Sequence, residues 1–387
     1  MTRQRVHSKS PTGPHAQAAP DPCTVVIFGG SGDLARRKLI PALYNLLLDG
    51  LLPSPSAVLG LGRKPLTGEE FRGTLREGAD QHSRQPLTQD SWPDFEQRLY
   101  YQAGSIDDPD TYEHLRRRLE ELEKRLNLPG HRLFYLAIPP DSITGVCLGL
   151  QKAGLVARSR DTRCWRRVVV EKPNGHDLAS AKAINATVGS VFDESQIFRI
   201  DHYLGKETVQ NIKVLRFANS IFEPLWNHKY VDHVQITVSE AEGLGTRAAY
   251  YGETGALRDM VQNHILQLLC LVAMEPPYSL DPDVVRDARI DVLRCLKPIR
   301  GQDVDRFTVR GQYGPGKIAG KAVAGFREEP GITVETNTET YAAIKLFVEN
   351  WRWAGVPFYL RTGKALVKRA TEIAVQFKDI PEILFNT

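Results

Sequence analysis

One stretch constrains the fold more than any other. Cys23-Thr-Val-Val-Ile-Phe28 runs directly into Gly29-Gly30-Ser31-Gly32-Asp33-Leu34-Ala35. An apolar, β-branched run with no polar alternation is a strand buried on both faces, as in a parallel sheet. The glycines close a tight turn, and an apolar pattern from Leu34 through Leu48 opens a helix. A parallel strand needs crossover partners, and the following sequence supplies them. Val58 to Leu61, Leu133 to Ile138, Val168 to Val170 and Ile197 to Ile200 read as strands, with charged helical stretches such as Tyr112 to Leu126 between them. The first half is therefore expected to be an α/β, Rossmann-type doubly wound parallel sheet.

The pattern changes after about residue 201. Val234, Ile236 and Val238 alternate with polar residues, as do Ile373, Val375 and Phe377. Ala342 to Val348 and Val356 to Leu360 add strand-like segments, and one long helix is expected from about Gly255 to Met274. Alternation predicts half-exposed antiparallel strands. The second half thus reads as an α+β domain with a large, mainly antiparallel sheet.

The chain has 387 residues, enough for two or three domains at roughly 150 residues each. Residues 1 to 22 hold Arg3, Arg5, Lys9 and several prolines but no apolar core of a secretory signal, so they read as a disordered tail. The expected division is a tail at 1–22, a nucleotide-binding domain at 23–201 and a substrate and dimerisation domain at 202–387. With 50 Lys+Arg against 46 Asp+Glu, the formal charge of +4 gives no argument for a nucleic-acid partner. The longest apolar run, Ile265 to Met274, is broken by Gln267 and is too short to span a membrane. Five scattered cysteines without CxxC spacing fit a reducing cytoplasm, and nothing in their pattern suggests a metal site.

The glycine turn has the spacing G-x-x-G-x-x-A. Such a turn lets backbone approach a pyrophosphate and aims a helix N-terminus at it. The next strand, Gly60-Leu61-Gly62, ends in Arg63-Lys64 rather than in an acid. An acid there would hold a ribose 2′-hydroxyl, whereas cations suit a 2′-phosphate, so NADP is favoured over NAD.

Two further stretches carry chemistry. Arg199-Ile-Asp201-His202-Tyr203-Leu-Gly205-Lys206-Glu207 places His202, Tyr203 and Lys206 at the start of a helix running from Thr208 to Phe217, a donor set suited to a phosphate dianion. Asp259, Gln262, Asn263 and His264 sit on the expected long helix, which is otherwise apolar enough to be largely buried. A buried histidine beside an acid from another segment is a general base, and Asp201 is the candidate acid. Glu171-Lys172-Pro173-Asn174-Gly175 ends a strand, where ligands of a doubly wound sheet bind.

Taken together these stretches resemble the glucose-6-phosphate dehydrogenase family. The resemblance rests on GGSGDLA at 29, EKPNG at 171, RIDHYLGKE at 199, GALRDMVQNH at 255, NWRWAGVPFYLRTGKAL from 350 and VQFKDIP from 375. It implies oxidation of D-glucose 6-phosphate to 6-phosphogluconolactone with reduction of NADP, the entry to the oxidative pentose phosphate route, in a cytoplasmic homodimer or homotetramer. It further implies that His264 takes the anomeric proton with Asp201 paired to it, and that His202, Tyr203, Lys206, Lys364 and Arg369 hold the phosphate. Glu240 and Asp259 would accept sugar hydroxyls. Lys172 would lie between sugar and cofactor, and Gly29, Gly30, Ser31, Gly32, Asp33, Leu34, Ala35 and Arg63 would bind NADP. Two departures stand out. The family's sheet continues beyond the point where this chain stops at Thr387, which implies an exposed sheet edge. The alternative reading is a truncated, inactive nucleotide-binding chain that joins a full-length partner. The other departure, Gly30 where many members have a small non-glycine residue, reads as minor.

Overall fold

In the computed structural model, residues 20–156, 164–244, 248–318, 320–333 and 335–379 are described. Residues 1–19, most of the expected tail, lie outside them, as do 380–387 at the end of the expected second domain. The chain divides between Ile200 and Asp201 into two units.

The first unit is wound around six parallel strands: β1 (Cys23–Phe28), β2 (Ser56–Gly62), β3 (Leu99–Ala103), β4 (Arg132–Leu136), β5 (Arg166–Val170) and β6 (Ile197–Arg199). Their spatial order is β3-β2-β1-β4-β5-β6. The crossovers carry α1 (Ile40–Leu48), α2 (Gly68–His82), α3 (Ser91–Glu96), α4 (Pro109–Leu126), α5 (Pro140–Lys152) and α6 (Leu178–Val191). Every residue of β1 is buried because alternate side chains enter two separate cores. Val25 and Ile27 pack with Tyr44, Phe71, Trp92 and Phe95 of α1, α2 and α3. Val26 and Phe28 pack with Leu115, Leu119, Val146 and Val188 of α4, α5 and α6. The sheet order reverses between β1 and β4, which places the crevice for a ligand outside the carboxyl end of β1. Strand β3 carries no clean apolar pattern (Leu-Tyr-Tyr-Gln-Ala) and escapes a reading by periodicity.

The second unit begins with α7 (Glu207–Phe217), β7 (Val231–Ser239) and α8 (Ala248–Ala256), the last broken at Gly255. A π-helical stretch, Leu257–Ile265, then continues into α9 (Leu266–Ala273). After these come α10 (Pro282–Arg294), α11 (Asp303–Phe307), β8 (Thr308–Gly311), β9 (Gly316–Ile318), β10 (Lys321–Val323), β11 (Tyr341–Phe347), β12 (Pro357–Gly363) and β13 (Ala370–Phe377). Five strands form a sheet in the order β13-β7-β12-β11-β8, while β9 and β10 make a separate hairpin. The sheet is mainly antiparallel, with one correction to the reading from alternation: β7 and β12 run parallel. Alternation reports one buried face and one wet face, and it does not report strand direction. Among the described residues, β13 and β8 are the outer strands.

The expected helix from Gly255 to Met274 is corrected in two ways. Regular helix starts after Gly255, whose φ of +67° ends α8, and its first half is π-helical. The apolar face of this run, Met260, Val261, Ile265, Leu268, Leu269 and Val272, packs on Val234, Ile236, Phe358 and Leu360 of the sheet. The far end of the run is also buried, so its last carbonyls need partners. Arg216 donates to the Leu271 carbonyl at 3.0 Å, Trp226 to Val272 at 2.8 Å and Trp353 to Ala273 at 2.8 Å.

Candidate active site

In the second unit, Asp201 to Lys206 forms the turn that leads into α7, with Lys206 in the N-cap position. The Tyr203 N–H donates to Asp201 Oδ1 at 2.9 Å, an Asx-type turn that fixes the carboxylate. The same Oδ1 lies 2.8 Å from His264 Nδ1. His264 is only 1% exposed, so its ring is held in place by packing as well as by this bond. An Nδ1–H given to the carboxylate places the basic lone pair on Nε2. Burial pushes the Asp201 carboxyl up. The hydrogen bond and charge of His264, the Tyr203 N–H and nearby His202 outweigh that and hold it below the usual aspartate range.

The Tyr203 ring stacks on His264 at 4.1 Å between centroids, and His202 meets His264 edge-on at 4.6 Å. Lys206 Nζ lies 3.4 Å from the centre of the Tyr203 ring. Burial and the charge of Arg369 lower the Lys206 pKa, against Asp201 and Glu240. Exposed Arg369 is thereby within electrostatic reach of Lys206, as Glu240 is. Lys364 and Glu240 form an ion pair at 2.6 Å, with Lys364 only 10% exposed. Lys364 immediately follows β12, and the next residue, Ala365, has a φ of +53°, a left-handed conformation that a non-glycine residue adopts at a cost. Tyr251 is a buried phenol beside Lys364, whose Nζ lies 5.0 Å from its ring centre. Burial raises that phenol's pKa, with further contributions from Asp259, Glu339 and Glu240. Of the four polar residues on this largely buried helix, His264 is buried, Asp259 and Asn263 are half-buried, and Gln262 is exposed. A π-helical turn changes the angular position of every residue after it, so a 3.6-residue period misplaces such side chains.

The nucleotide candidates belong to the first unit. Gly29 has a φ of +82°, and a Cβ there would lie 2.3 Å from the Ala137 carbonyl oxygen. A Cβ on Gly30 would lie 2.5 Å from the Gly60 Cα, because the turn lies flush against β2. Gly30 is therefore required by the packing of this chain, which corrects its reading as a minor departure. Ser31 is half-buried, while Gly32, Asp33 and Leu34 are exposed at the mouth of the turn; Ala35 is buried beneath it. Asp33 pairs with Arg36 and Arg37 at 3.6 and 3.4 Å. Arg63 and Lys64 stand exposed beyond β2, with no acid at that strand end. Lys172 follows β5 and precedes a cis Pro173; beside it, Glu171 accepts a hydrogen bond from the Tyr135 hydroxyl. Backbone stripped of Cβ atoms at a switch point, with cations after β2, fits a dinucleotide carrying a 2′-phosphate.

Two family models cover nearly the whole chain: "Glucose-6-phosphate dehydrogenase, NAD binding domain" over residues 26–211 and "Glucose-6-phosphate dehydrogenase, C-terminal domain" over 213–387. The chain is 46% identical over 365 residues to the glucose-6-phosphate 1-dehydrogenase of Bacillus subtilis, covering 93% of this chain and 72% of the relative. It is 49% identical over 367 residues to that of Rhizobium meliloti, covering 95% and 72%. The chain belongs to the glucose-6-phosphate dehydrogenase family. A solved glucose-6-phosphate dehydrogenase in complex with its substrate glucose 6-phosphate superposes with a TM-score of 0.86 at 34% identity, covering 96% of this chain and 74% of that one. The enzyme from Mycobacterium avium superposes with a TM-score of 0.79 at 35% identity, covering 95% and 75%.

Three residues around this family's second-unit cluster escape a reading of the sequence. Tyr251 lies under Lys364, whose Nζ is 5.0 Å from its ring centre, and its buried hydroxyl has no hydrogen-bond partner among the described residues. Burial raises the Tyr203 phenol's pKa, and Thr371 of β13 opposes that rise. Glu339 is a buried carboxylate far in sequence from every motif. None lies within a recognisable motif, and only the fold brings them to the cluster.

Proposed function

We propose that this chain oxidises D-glucose 6-phosphate to 6-phospho-D-glucono-1,5-lactone and reduces NADP, with His264 as general base. The observation that carries this reading is the buried His264–Asp201 pair at 2.8 Å, set against a turn that holds His202, Tyr203 and Lys206. A histidine with an acid partner accepts a proton near neutral pH. In this reading His264 Nε2 takes the proton from the anomeric hydroxyl, the C1–H bond breaks as the C1=O bond forms, and Asp201 stabilises the imidazolium. NADP, when bound, supplies the acceptor for the hydride that leaves C1. Lys206, His202 and Tyr203 hold the phosphate, so that binding energy remote from C1 orients C1. Lys364 and Arg369 extend the cationic side of the site, and Glu240 and Asp259 accept sugar hydroxyls. The Gly29–Ala35 turn, Arg63 and Lys172 hold the cofactor. A cytoplasmic homodimer formed through the second unit's sheet belongs to the same reading. In this reading the outward side of β12, with half-buried Tyr359 and exposed Arg361 opposite the buried Phe358 and Leu360, is part of the face that the partner covers.

Two substitutions test the assignments of substrate and cofactor. Lys206→Ala should raise the KM for glucose 6-phosphate about 10- to 100-fold, the worth of a charge-assisted hydrogen bond. It should leave the slow oxidation of unphosphorylated glucose nearly unchanged; equal losses on both sugars would remove Lys206 from phosphate binding. Arg63→Ala should raise the KM for NADP about tenfold and leave that for NAD nearly unaltered. Parallel changes for both cofactors would take the 2′-phosphate away from Arg63.

A further inference from the structure

The helical run that carries Asp259 and His264 is held at its start by a residue outside every motif. The segment Thr338-Glu339-Thr340 immediately precedes β11. Thr338 Oγ1 donates to the Gly252 carbonyl at 2.6 Å. The Glu339 carbonyl accepts the Ala256 N–H at 3.0 Å, and its Oε1 accepts the Leu257 N–H at 2.9 Å. The Thr340 carbonyl accepts the Lys364 N–H at 3.0 Å. Three consecutive residues therefore bind α8, the first turn of the base-bearing helix and the lysine that follows β12.

A helix start leaves N–H groups with no acceptor inside the helix, and its dipole favours an anion there. Glu339 satisfies two of these groups, one with its main chain and one with its carboxylate, from 82 residues away in sequence. It does so while only 9% exposed. The chain gives way to it: at Gly255, φ +67°, a Cβ would lie 2.6 Å from Glu339 Oε1. The opposite end of the same run is held by Arg216, Trp226 and Trp353 on its last carbonyls. A helix fixed at both ends has a fixed axial position, and His264 lies on it between the two clamps.

We propose that Glu339 is a positioning residue for the reaction. Its carboxylate sets the start of the base-bearing helix, and through it the place of His264 relative to the bound sugar and to Lys364. This rests on the reading of His264 as the base. The test uses the full chain with glucose 6-phosphate and NADP, comparing the parent with Glu339→Ala, Glu339→Gln and His264→Asn. Steady-state rates are divided by the number of sugar-phosphate sites counted calorimetrically, so that unfolded chain is not mistaken for slow chemistry.

Glu339→Ala should bind glucose 6-phosphate at full stoichiometry, with kcat per site falling on the order of 10²-fold, the scale set by a displacement of about 1 Å. Glu339→Gln keeps an oxygen acceptor and should stay within about fivefold of the parent. If Glu339→Ala proves too unstable to bind sugar, Glu339→Asp, which keeps the charge but shortens the reach, takes its place with the same expectation. An unchanged kcat per site in the Ala or Asp variant, or a Gln variant no faster than Ala, overturns the positioning role even where His264→Asn is inactive. Turnover near the parent rate in His264→Asn overturns the underlying base assignment, a different failure.

Discussion

Replacing His264 by asparagine should lower kcat by about 10²- to 10⁴-fold, the contribution of a positioned general base. The affinity for glucose 6-phosphate should stay within a few-fold of the parent. Asparagine is smaller than the imidazole and polar, so it can still face Asp201, but it has no lone pair that accepts a proton near neutral pH. The proposed phosphate-holding groups, His202, Tyr203 and Lys206, lie on a different segment from His264; Tyr203 and His202 lose their ring contacts with it, but the Tyr203 N–H bond to Asp201 that fixes their turn remains. Stopped-flow rates and calorimetric binding on the same preparation separate the two quantities. A His264→Asn variant that turns over near the parent rate would show that the 2.8 Å pair with Asp201 is structural.

Replacing Glu223 by alanine should destabilise the second unit by about 3–5 kcal/mol, the usual result of stripping a buried charge of its partner. The Arg216 guanidinium has no exposed side-chain surface and lies 3.1 Å from Glu223. Burial already pulls the Arg216 pKa down to about 10, against the opposing charge of Glu223. Without that carboxylate, Arg216 would retain its bond to the Leu271 carbonyl and little to balance its charge. Arg352, 2.8 Å from the other Glu223 oxygen, keeps Glu275 as a second acid and should matter less. Urea unfolding followed by tryptophan fluorescence measures the effect, since Trp226 and Trp353 sit on the same helix end. A loss under about 1 kcal/mol would mean that Arg216 reaches water on losing its partner. Because Arg216 clamps the end of the base-bearing helix, the stability of that clamp and the placement of His264 are linked.

Much of this was legible in the sequence. An apolar, β-branched β1 without polar alternation reads as a strand buried on both faces, and the structure has it so, paired in parallel on both sides. The Asp201–His264 pairing was legible as chemistry: a histidine on an apolar helix must find a polar partner. The unreadable parts share a cause, which is that they depend on residues distant in sequence. Strand β3 is set by its partner β2 rather than by its own composition. The parallel pairing of β7 with β12 depends on where the chain returns after 117 intervening residues, between Ser239 and Pro357. The π-helical turn from Leu257 has no propensity signal, and it shifts Gln262 to the surface. Glu339 and Glu223 carry no motif, and their importance lies in the helix ends they serve directly or through Arg216. Gly30 was underrated because its constraint, the Gly60 Cα beneath it, belongs to another strand.

The most direct measurement is the absorbance of reduced nicotinamide when the purified, folded chain meets glucose 6-phosphate and NADP, with unphosphorylated glucose as the control. The account predicts one reduced nicotinamide per sugar phosphate oxidised, a far lower rate on glucose, and a rate from His264→Asn lowered about 10²- to 10⁴-fold. Nucleotide binding without reduction, or faster oxidation of glucose than of its phosphate ester, would contradict it.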